Sequence, residues 1–242
     1  PIIGCELYVA PHSRLDKKKT PGVPAGFPLI FLAKSRQGYQ NLCKLSSIAH
    51  LEGFYYTPRI DLEVLERYKE GLICLSGPLQ GRLAYLIIQG RDQEAAKEAR
   101  WFHDLFKDDF YFELQRHRMT EETIRGDGMD KESWLYQNYS DYVRNQEVVV
   151  GRLKELSQEL GIHLVATNGS HYLERGDWKA HEILMNIQSG EPCEIWERDS
   201  FGNPKNRTLN PKRQVFYSHE MFFKTPKQME ELFSDIPEAI EA

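Results

Sequence analysis

The sequence predicts an α/β protein, because short apolar runs typical of strands alternate with longer stretches in which apolar residues recur at helical spacing. The run from Ile2 to Val9 is rich in strand-favouring residues, and Leu29 to Ala33 is a fully apolar pentad. Such a pentad is typical of a strand buried on both faces of a parallel sheet. The strongest helical pattern covers residues 130–160. This alternation indicates parallel βαβ units, in either a doubly wound sheet or a barrel.

Between the first two strands, residues 10–27 contain prolines and a cluster of lysines and are predicted to form a loop. A helix is predicted after the second strand, because four residues share one helical face: Tyr39, Leu42, Leu45 and Ala49. The segment 53–61 ends this helix, since Pro58 disfavours helical backbone in the residue before it. Asp61 is suited to cap a following helix over residues 62–69.

The rest of the chain repeats the alternation of strands and helices. Further strands are predicted for three short apolar runs: Leu72 to Leu75, Phe110 to Leu114 and His163 to Ala166. Further helices are predicted for residues 92–106, for 130–160 with one interruption or as two elements, from Trp178 to Ile187, and from Pro226. Residues 190–214 are polar and contain glycine and proline, which predicts irregular structure there.

Composition argues against several classes of protein. The 242 residues include 31 Lys and Arg against 36 Asp and Glu, a net charge of −5, which does not favour nucleic acid or an anionic membrane. No apolar run approaches the ~20 residues that cross a bilayer. The glycine-rich motifs of P-loop and dinucleotide-binding domains do not occur. Four cysteines lie far apart and are interpreted as reduced thiols of a cytoplasmic protein: Cys5, Cys43, Cys74 and Cys193.

Two candidate site residues are placed where α/β proteins carry their functional groups, near the carboxyl ends of strands. Glu6 lies within the first predicted strand, and His171 follows the strand over residues 163–166. A carboxylate and an imidazole that converge could bind a divalent metal. Two ligands are fewer than the usual three protein ligands of a catalytic metal. The alternative is therefore a paired or edge carboxylate and a hydrogen-bonding loop histidine.

Arg116 and His117 also follow a predicted strand and are candidate neighbours of such a site. Arg116 could bind a phosphate group, and the alternative for both residues is a surface loop. His181 lies on an amphipathic helical pattern, which predicts a packing role for its ring.

Several segments, taken in order along the chain, resemble one protein family. They include Ile-Ile-Gly-Cys-Glu-Leu-Tyr-Val-Ala at residues 2–10, Glu-Leu-Gln-Arg-His at 113–117 and Asp-Ile-Pro-Glu-Ala at 235–239. Further matching segments are residues 32–42, 53–61, 70–77 and 165–172. Together they resemble the polymerase and histidinol phosphatase (PHP) domain of the bacterial DNA polymerase III alpha subunit, from the first residue to the last.

The resemblance implies a distorted (β/α)7-type PHP barrel with a metal cluster at the carboxyl ends of its strands. The opening strands of the family would lie upstream of Pro1, so we expect a chain that lacks them and is a fragment of a longer protein. We expect a single PHP domain over residues 1–242. Within it, residues 190–225 would form an irregular insertion, and 226–242 would begin the connection to the polymerase core.

The resemblance also assigns five metal-ligand positions of the family to this chain. Glu6 and His171 retain the glutamate and the histidine of the family. The other three positions hold residues without a side-chain donor, in place of a histidine, a cysteine and an aspartate: Pro28, Pro78 and Gly169. We therefore expect a domain without metal, without catalytic residues and without a cofactor of its own, whereas intact family members hold Zn²⁺, Mn²⁺ or Mg²⁺.

The resemblance implies DNA-directed DNA synthesis in the parent protein, which would use Mg²⁺, and a structural role for this domain. The expected partners are the rest of the polymerase alpha chain and the proofreading exonuclease subunit. DNA would be bound only through the parent protein, and no membrane contact is expected. The alternatives are a metal-dependent phosphoesterase or 3′–5′ exonuclease, and a barrel that binds a sugar or phosphate without catalysis.

Overall fold

The computed structural model describes residues 2–18 and 20–241. The strands are β1 (Ile3–Val9), β2 (Phe27–Ala33), β3 (Arg59–Ile60), β4 (Leu72–Leu75), β5 (Phe110–Gln115), β6 (His163–Thr167), β7 (Glu194–Arg198) and β8 (Pro204–Leu209). The helices are α1 (Arg36–Leu51), α2 (Leu62–Tyr68), α3 (Arg82–Ile88), α4 (Asp92–Phe106), α5 (Glu121–Asp127), α6 (Ser133–Leu160), α7 (Trp178–Ser189) and α8 (Pro226–Leu232). Most predicted elements are confirmed, with small displacements of their ends.

Six strands form one sheet in the order β3-β1-β2-β4-β5-β6. The pairs β1–β3, β4–β5 and β5–β6 are parallel, whereas β2 runs antiparallel to both β1 and β4. The predicted α/β class with a mostly parallel sheet is confirmed, but the apolar pentad of β2 lies in the one reversed strand. A parallel neighbour needs a crossover connection, and the described residues between Val9 and Phe27 contain no helix that could provide one.

The start of α1 lies unusually close to the start of β4. Ser35 caps α1 by accepting a hydrogen bond from the Gly38 amide at 3.1 Å. A Cβ atom on Gly38 would lie 1.9 Å from the carbonyl oxygen of Gly71, so a larger residue does not fit this contact. Gly38 therefore occupies the buried face, and Tyr39, which was predicted there, is 46% exposed. Asp61 caps α2, as predicted.

The chain divides into two compact units where the sequence predicts one domain. Unit 1 contains the described residues up to Gln115, residues 145–167 and those from Met229 onward. Unit 2 contains residues 116–144 and 168–228. The boundary at Arg144 falls inside α6, which is one continuous helix and neither interrupted nor divided into two elements.

Several elements were not predicted from the sequence: strand β3, helices α3 and α5, and the hairpin of β7 and β8. Helix α3 was not predicted, because most of its residues are apolar and buried and no single apolar face marks it. The hairpin of β7 and β8 lies within residues 190–225, which were predicted to be irregular. Its residues are almost all exposed, so no alternation of apolar and polar residues reveals the strands. Gly202 adopts a left-handed φ of +86° in the turn, as glycine readily does.

Each unit has its own apolar cluster. In unit 1, the sheet and its helices bury one large cluster, in which Phe31, Leu45 and Phe112 are each 0% exposed. The cluster of unit 2 is much smaller and has five buried members: Met119, Ile124, Met129, Leu135 and Tyr139. Unit 1 thus contains most of the apolar burial that stabilises the described chain.

Two expectations from composition can be compared with the structure. Within the described ranges, no helix is both long enough and apolar enough to cross a membrane. The thiols of the cysteines are free, as predicted, and they range from exposed Cys43 to buried Cys74. Burial raises the pKa of the Cys74 thiol, and the charge of Glu113 adds to this rise.

Candidate functional site

Unit 1 holds a buried polar network at the carboxyl ends of β4, β5 and β6. Glu113 on β5 is 3% exposed, and its Oε1 accepts hydrogen bonds from Gln115 Nε2 at 2.9 Å and from the Thr167 hydroxyl. The hydroxyl of Ser76, just beyond β4, accepts a hydrogen bond from the Glu113 amide at 2.9 Å. Parallel strands thus bring these side chains together at the edge where α/β proteins place functional groups.

The carboxyl group of Glu113 has a pKa above the ordinary value for glutamate. Burial raises its pKa, and the negative charge of Glu6 adds to the rise, whereas hydrogen bonds from Thr167 and Gln115 oppose it. Sequence reasoning missed this network. The signal was present, because Ser76, Gln115 and Thr167 are polar residues at the ends of otherwise apolar strands.

Glu6 lies on β1 opposite Ile30 of β2 and is exposed. Strand β3 pairs with β1 only at Tyr8 and Val9, so Glu6 has a strand neighbour on one side among the described residues. Burial raises the pKa values of the Cys5 thiol and the Tyr8 hydroxyl, and the charge of Glu6 adds to both. This position agrees with the alternative that Glu6 is an edge carboxylate.

Two of the positions that the resemblance assigns to family metal ligands, Pro28 and Pro78, lie in unit 1. Pro28 on β2 pairs with Tyr8 of β1, and Pro78 follows β4. Between β4 and Pro78, Gly77 adopts a φ of +88°, and a Cβ atom there would lie 2.5 Å from the carbonyl oxygen of Pro28. The residue just before Pro78 therefore lies against the backbone of Pro28, and neither proline ring can bind a metal.

In unit 2, His117 is buried and is not part of a surface loop. It is 1% exposed, and its Nδ1 lies 2.8 Å from the hydroxyl of Tyr142, whose ring stacks at 6.1 Å between centroids. Burial lowers the pKa of His117 to about 4, and the positive charge of Lys224 acts in the same direction. His117 is therefore neutral at pH 7. Arg116 is half-buried.

His171 belongs to a cluster of aromatic rings in unit 2. Its ring centroid lies 5.5 Å from that of His181 and 4.7 Å from that of Phe216. The rings of His181 and Phe216 stack at 5.0 Å, which agrees with the packing role predicted for His181. Burial lowers the pKa of His171, and His181 contributes to this shift. The amide of His171 donates a hydrogen bond to the Met221 carbonyl at 2.8 Å, as the alternative loop role implies.

The family's metal cluster does not fit the side chains present. In residues 2–18 and 20–241, no group of three or more His, Cys, Asp or Glu side chains could hold a metal ion. Since three of the five family positions lack a donor atom, neighbouring groups could support a ligand but not replace it.

Comparison with known proteins agrees with the resemblance found in the sequence. The family model of the PHP domain matches residues 1–117. The DNA polymerase III subunit alpha of Chlamydia pneumoniae is 49% identical over 99% of this chain and 18% of that protein. The subunit of Borreliella burgdorferi is 38% identical over 100% of this chain and 18% of that protein. The subunit of Thermus aquaticus is 38% identical over 99% of this chain and 16% of that protein.

The chain therefore spans about a fifth of the length of the curated relatives that it matches. The matches extend over nearly all of its residues, including unit 2, which lies almost wholly beyond the region matched by the family model. Residues 1–117 belong to the PHP domain family, and the chain as a whole is homologous to one segment of bacterial DNA polymerase III alpha subunits.

Proposed function

We propose that this chain is the PHP domain of a replicative DNA polymerase III alpha subunit, and that it acts as a metal-free structural module packed on the polymerase core. The identity of 34–49% to alpha subunits along the chain supports the first part. In this proposal, the six-stranded sheet is part of a distorted PHP barrel. The polymerase reaction and its Mg²⁺ belong to other parts of the alpha chain.

One observation carries the proposed loss of metal. Three of the five family ligand positions are Pro28, Pro78 and Gly169, none of which has a side-chain donor. The remaining residues, Glu6 and His171, are fewer than the usual three protein ligands of a catalytic metal. The neighbourhood of Pro78 instead contains Glu113, whose pKa is raised by burial and which is hydrogen-bonded to its neighbours.

The proposal predicts that the full-length protein binds neither Mn²⁺ nor Zn²⁺ stoichiometrically at this domain. Isothermal titration with each ion, together with metal analysis of the purified protein, measures this. The triple variant Pro28→His, Pro78→Cys and Gly169→Asp is the matched comparison, and we expect it to bind more metal than the wild type. Tight binding of two or more ions to this domain of the wild type would overturn the proposal.

The second candidate is a metal-dependent phosphoesterase or 3′–5′ exonuclease, and the retained Glu6 and His171 favour it. A nuclease assay of the full-length protein separates the candidates, with Glu6→Ala and His171→Ala as variants. We expect no cleavage that depends on either residue. Cleavage by the wild type that both variants abolish would favour the esterase.

The proposed partners follow from the same relationship. The rest of the alpha chain would pack against this domain, and the proofreading exonuclease subunit is a second proposed partner. With a net charge of −5, the domain would contact DNA only through the parent protein.

A further inference from the structure

Helix α7 of unit 2 exposes its apolar face. Four exposed apolar residues recur at positions i, i+3, i+4 and i+7 of this helix: Ala180, Ile183, Leu184 and Ile187. We call these four residues the apolar stripe. Ile183, Leu184 and Ile187 are 51%, 62% and 71% exposed. Such spacing is typical of the face that a helix buries, so this helix presents outward what helices usually turn inward.

The opposite face of α7 packs through polar and aromatic side chains. Asn186 is buried, and its side chain donates a hydrogen bond to the Gln214 carbonyl at 2.8 Å and accepts one from the Gln214 amide at 2.9 Å. The ring of His181 stacks on that of Phe216 at 5.0 Å between centroids. These contacts fix the rotation of α7 about its axis, so the apolar stripe cannot turn inward unless they break.

The apolar stripe borders a cavity of about 640 Å³ in unit 2. Ile183 belongs to both, and Met129 and Leu135 also line the cavity. Most charged side chains of the lining are already paired: Asp127 with Arg175, Glu132 with Arg213, and Glu194 with Arg207. Lys179 and Glu182, which also line it, have opposite charges. The cavity therefore favours an uncharged, apolar side chain over an ion.

The spacing of the apolar stripe indicates what kind of element covers it. Side chains at i, i+3, i+4 and i+7 form a ridge along a helix, and such a ridge packs into the groove of another helix. A strand presents side chains to one face with a period of two residues and does not match this ridge. Apolar side chains exposed side by side to this degree are typical of an interaction surface.

The size of the apolar stripe favours a helix of the same polypeptide. A stable interface between separate proteins involves about 20–30 residues on each side. Helix α7 has 12 residues. A tethered segment needs less surface, because tethering gives it a high effective concentration. The chain spans about a fifth of the length of the relatives that it matches, so most of such a polypeptide lies outside the described residues.

We propose that a helix of the polymerase core, in the same alpha chain, packs along the apolar stripe and inserts an apolar side chain into the adjoining cavity. The small side chain of Ala180 allows the two helices to approach closely at that end. This inference rests on the proposed function, in which the domain packs on the polymerase core, and it identifies the surface of unit 2 that does so.

Hydroxyl-radical footprinting of the purified full-length alpha chain tests whether the apolar stripe is covered. Leu184 and Ile187 should react nearly as slowly as Leu45, which is 0% exposed. The same residues in the denatured protein give the fully exposed rate. If Leu184 and Ile187 react at that rate, the inference is wrong. Protection elsewhere on the domain would then leave the proposed packing on the core intact, whereas exposed rates over its whole surface would contradict both.

Leu184→Asn places a polar side chain in the middle of the apolar stripe. Because Leu184 is mostly exposed in the described structure, this change should leave the fold of unit 2 itself intact. In the full-length chain, we expect the reactivity of Ile187 to rise toward that of the denatured protein. Leu51→Asn, the same change at an exposed position of α1, should leave Ile187 protected. An unchanged rate of Ile187 in Leu184→Asn would contradict the inference.

A photoreactive benzoylphenylalanine in place of Leu184 identifies what covers the apolar stripe. Irradiation of an equal mixture of light and isotope-labelled alpha chains separates cross-links within one chain from those between two copies. We expect cross-links within one chain, to a segment of the polymerase core whose apolar residues also recur at helical spacing. Cross-links between copies, cross-links to a strand, or none at all would each overturn the inference.

Discussion

The two units are stabilised by different kinds of interaction. In unit 1, the sheet and its helices bury one large apolar cluster. Unit 2 has a small apolar cluster and depends more on buried polar contacts, such as Arg213 with Glu132 and His219 between Asp127 and Trp178.

This difference has consequences for stability and for function. Apolar burial is non-directional and tolerates changes of pH, whereas buried charges and histidines depend on each partner being present and correctly protonated. Unit 2 is therefore the unit in which a single polar substitution or a fall in pH should have a large effect. The same polar groups line the cavity of unit 2.

The largest expected effect concerns apolar burial. Leu45→Ala in unit 1 should destabilise the protein by about 4 kcal/mol, because the side chain is fully buried and its neighbours are held in the sheet. Leu135→Ala in unit 2 should cost about 2 kcal/mol, since its cluster is smaller. Hydrogen exchange followed in each unit measures both values, because the units need not unfold together. Equal losses would contradict the contrast between the units.

The next effect concerns the buried ion pair of unit 2. Glu132→Gln should destabilise unit 2 by about 3 kcal/mol, because the guanidinium of Arg213 is left buried without its counter-charge. The double variant Glu132→Gln/Arg213→Met should recover most of this loss. Arg125→Gln is the matched control, since it breaks an exposed pair with Glu121 and should change stability by less than about 0.5 kcal/mol. Denaturant unfolding of the three variants provides the measurement.

The smallest of these effects is a pH dependence carried by His117. Its pKa in the folded protein is about 4, below the ordinary value of 6.5, so the unfolded chain binds the proton more strongly. The stability from this group is therefore present above pH 6.5 and is lost as the pH falls toward 4. We expect a loss of about 2 kcal/mol between pH 7 and 4.5 that is absent in His117→Gln. Unfolding free energies measured across this range test it, and the same slope in both proteins would contradict it.

Sequence patterns predicted most of the longer elements of unit 1, because strands such as β2 and β4 are continuous apolar runs and helices such as α1 and α4 have one buried face. The cap at Asp61 and the strand from Leu72 to Leu75 are examples. Strand β3 and helix α3 were not predicted, since neither has such a pattern. The reversed direction of β2 was not predicted, because direction depends on how the chain returns and not on the composition of the strand. The hairpin β7–β8 was missed because its strands are almost wholly exposed.

The candidate site was predictable only in part. The family resemblance identified Glu6, His171 and the three positions without donors, and these expectations remain proposals. The burial of His117 beside Tyr142 could not be predicted, because the two residues are 25 positions apart and meet only in the folded unit. The same holds for His219 and Asp127, whose separation of 92 positions leaves no local pattern.

The register of β5 and β6 has a consequence for the order of folding. Gln115 and Thr167 are paired across these strands, and the two segments of unit 2 begin at the next residues, Arg116 and Asn168. Contacts within unit 2 otherwise close very long loops, such as the 101 positions between His117 and Ser218. Pairing of β5 with β6 holds the two starting points together and reduces the entropy that these contacts must overcome. During synthesis, unit 2 should therefore acquire its structure only after the sheet of unit 1 has formed as far as β6.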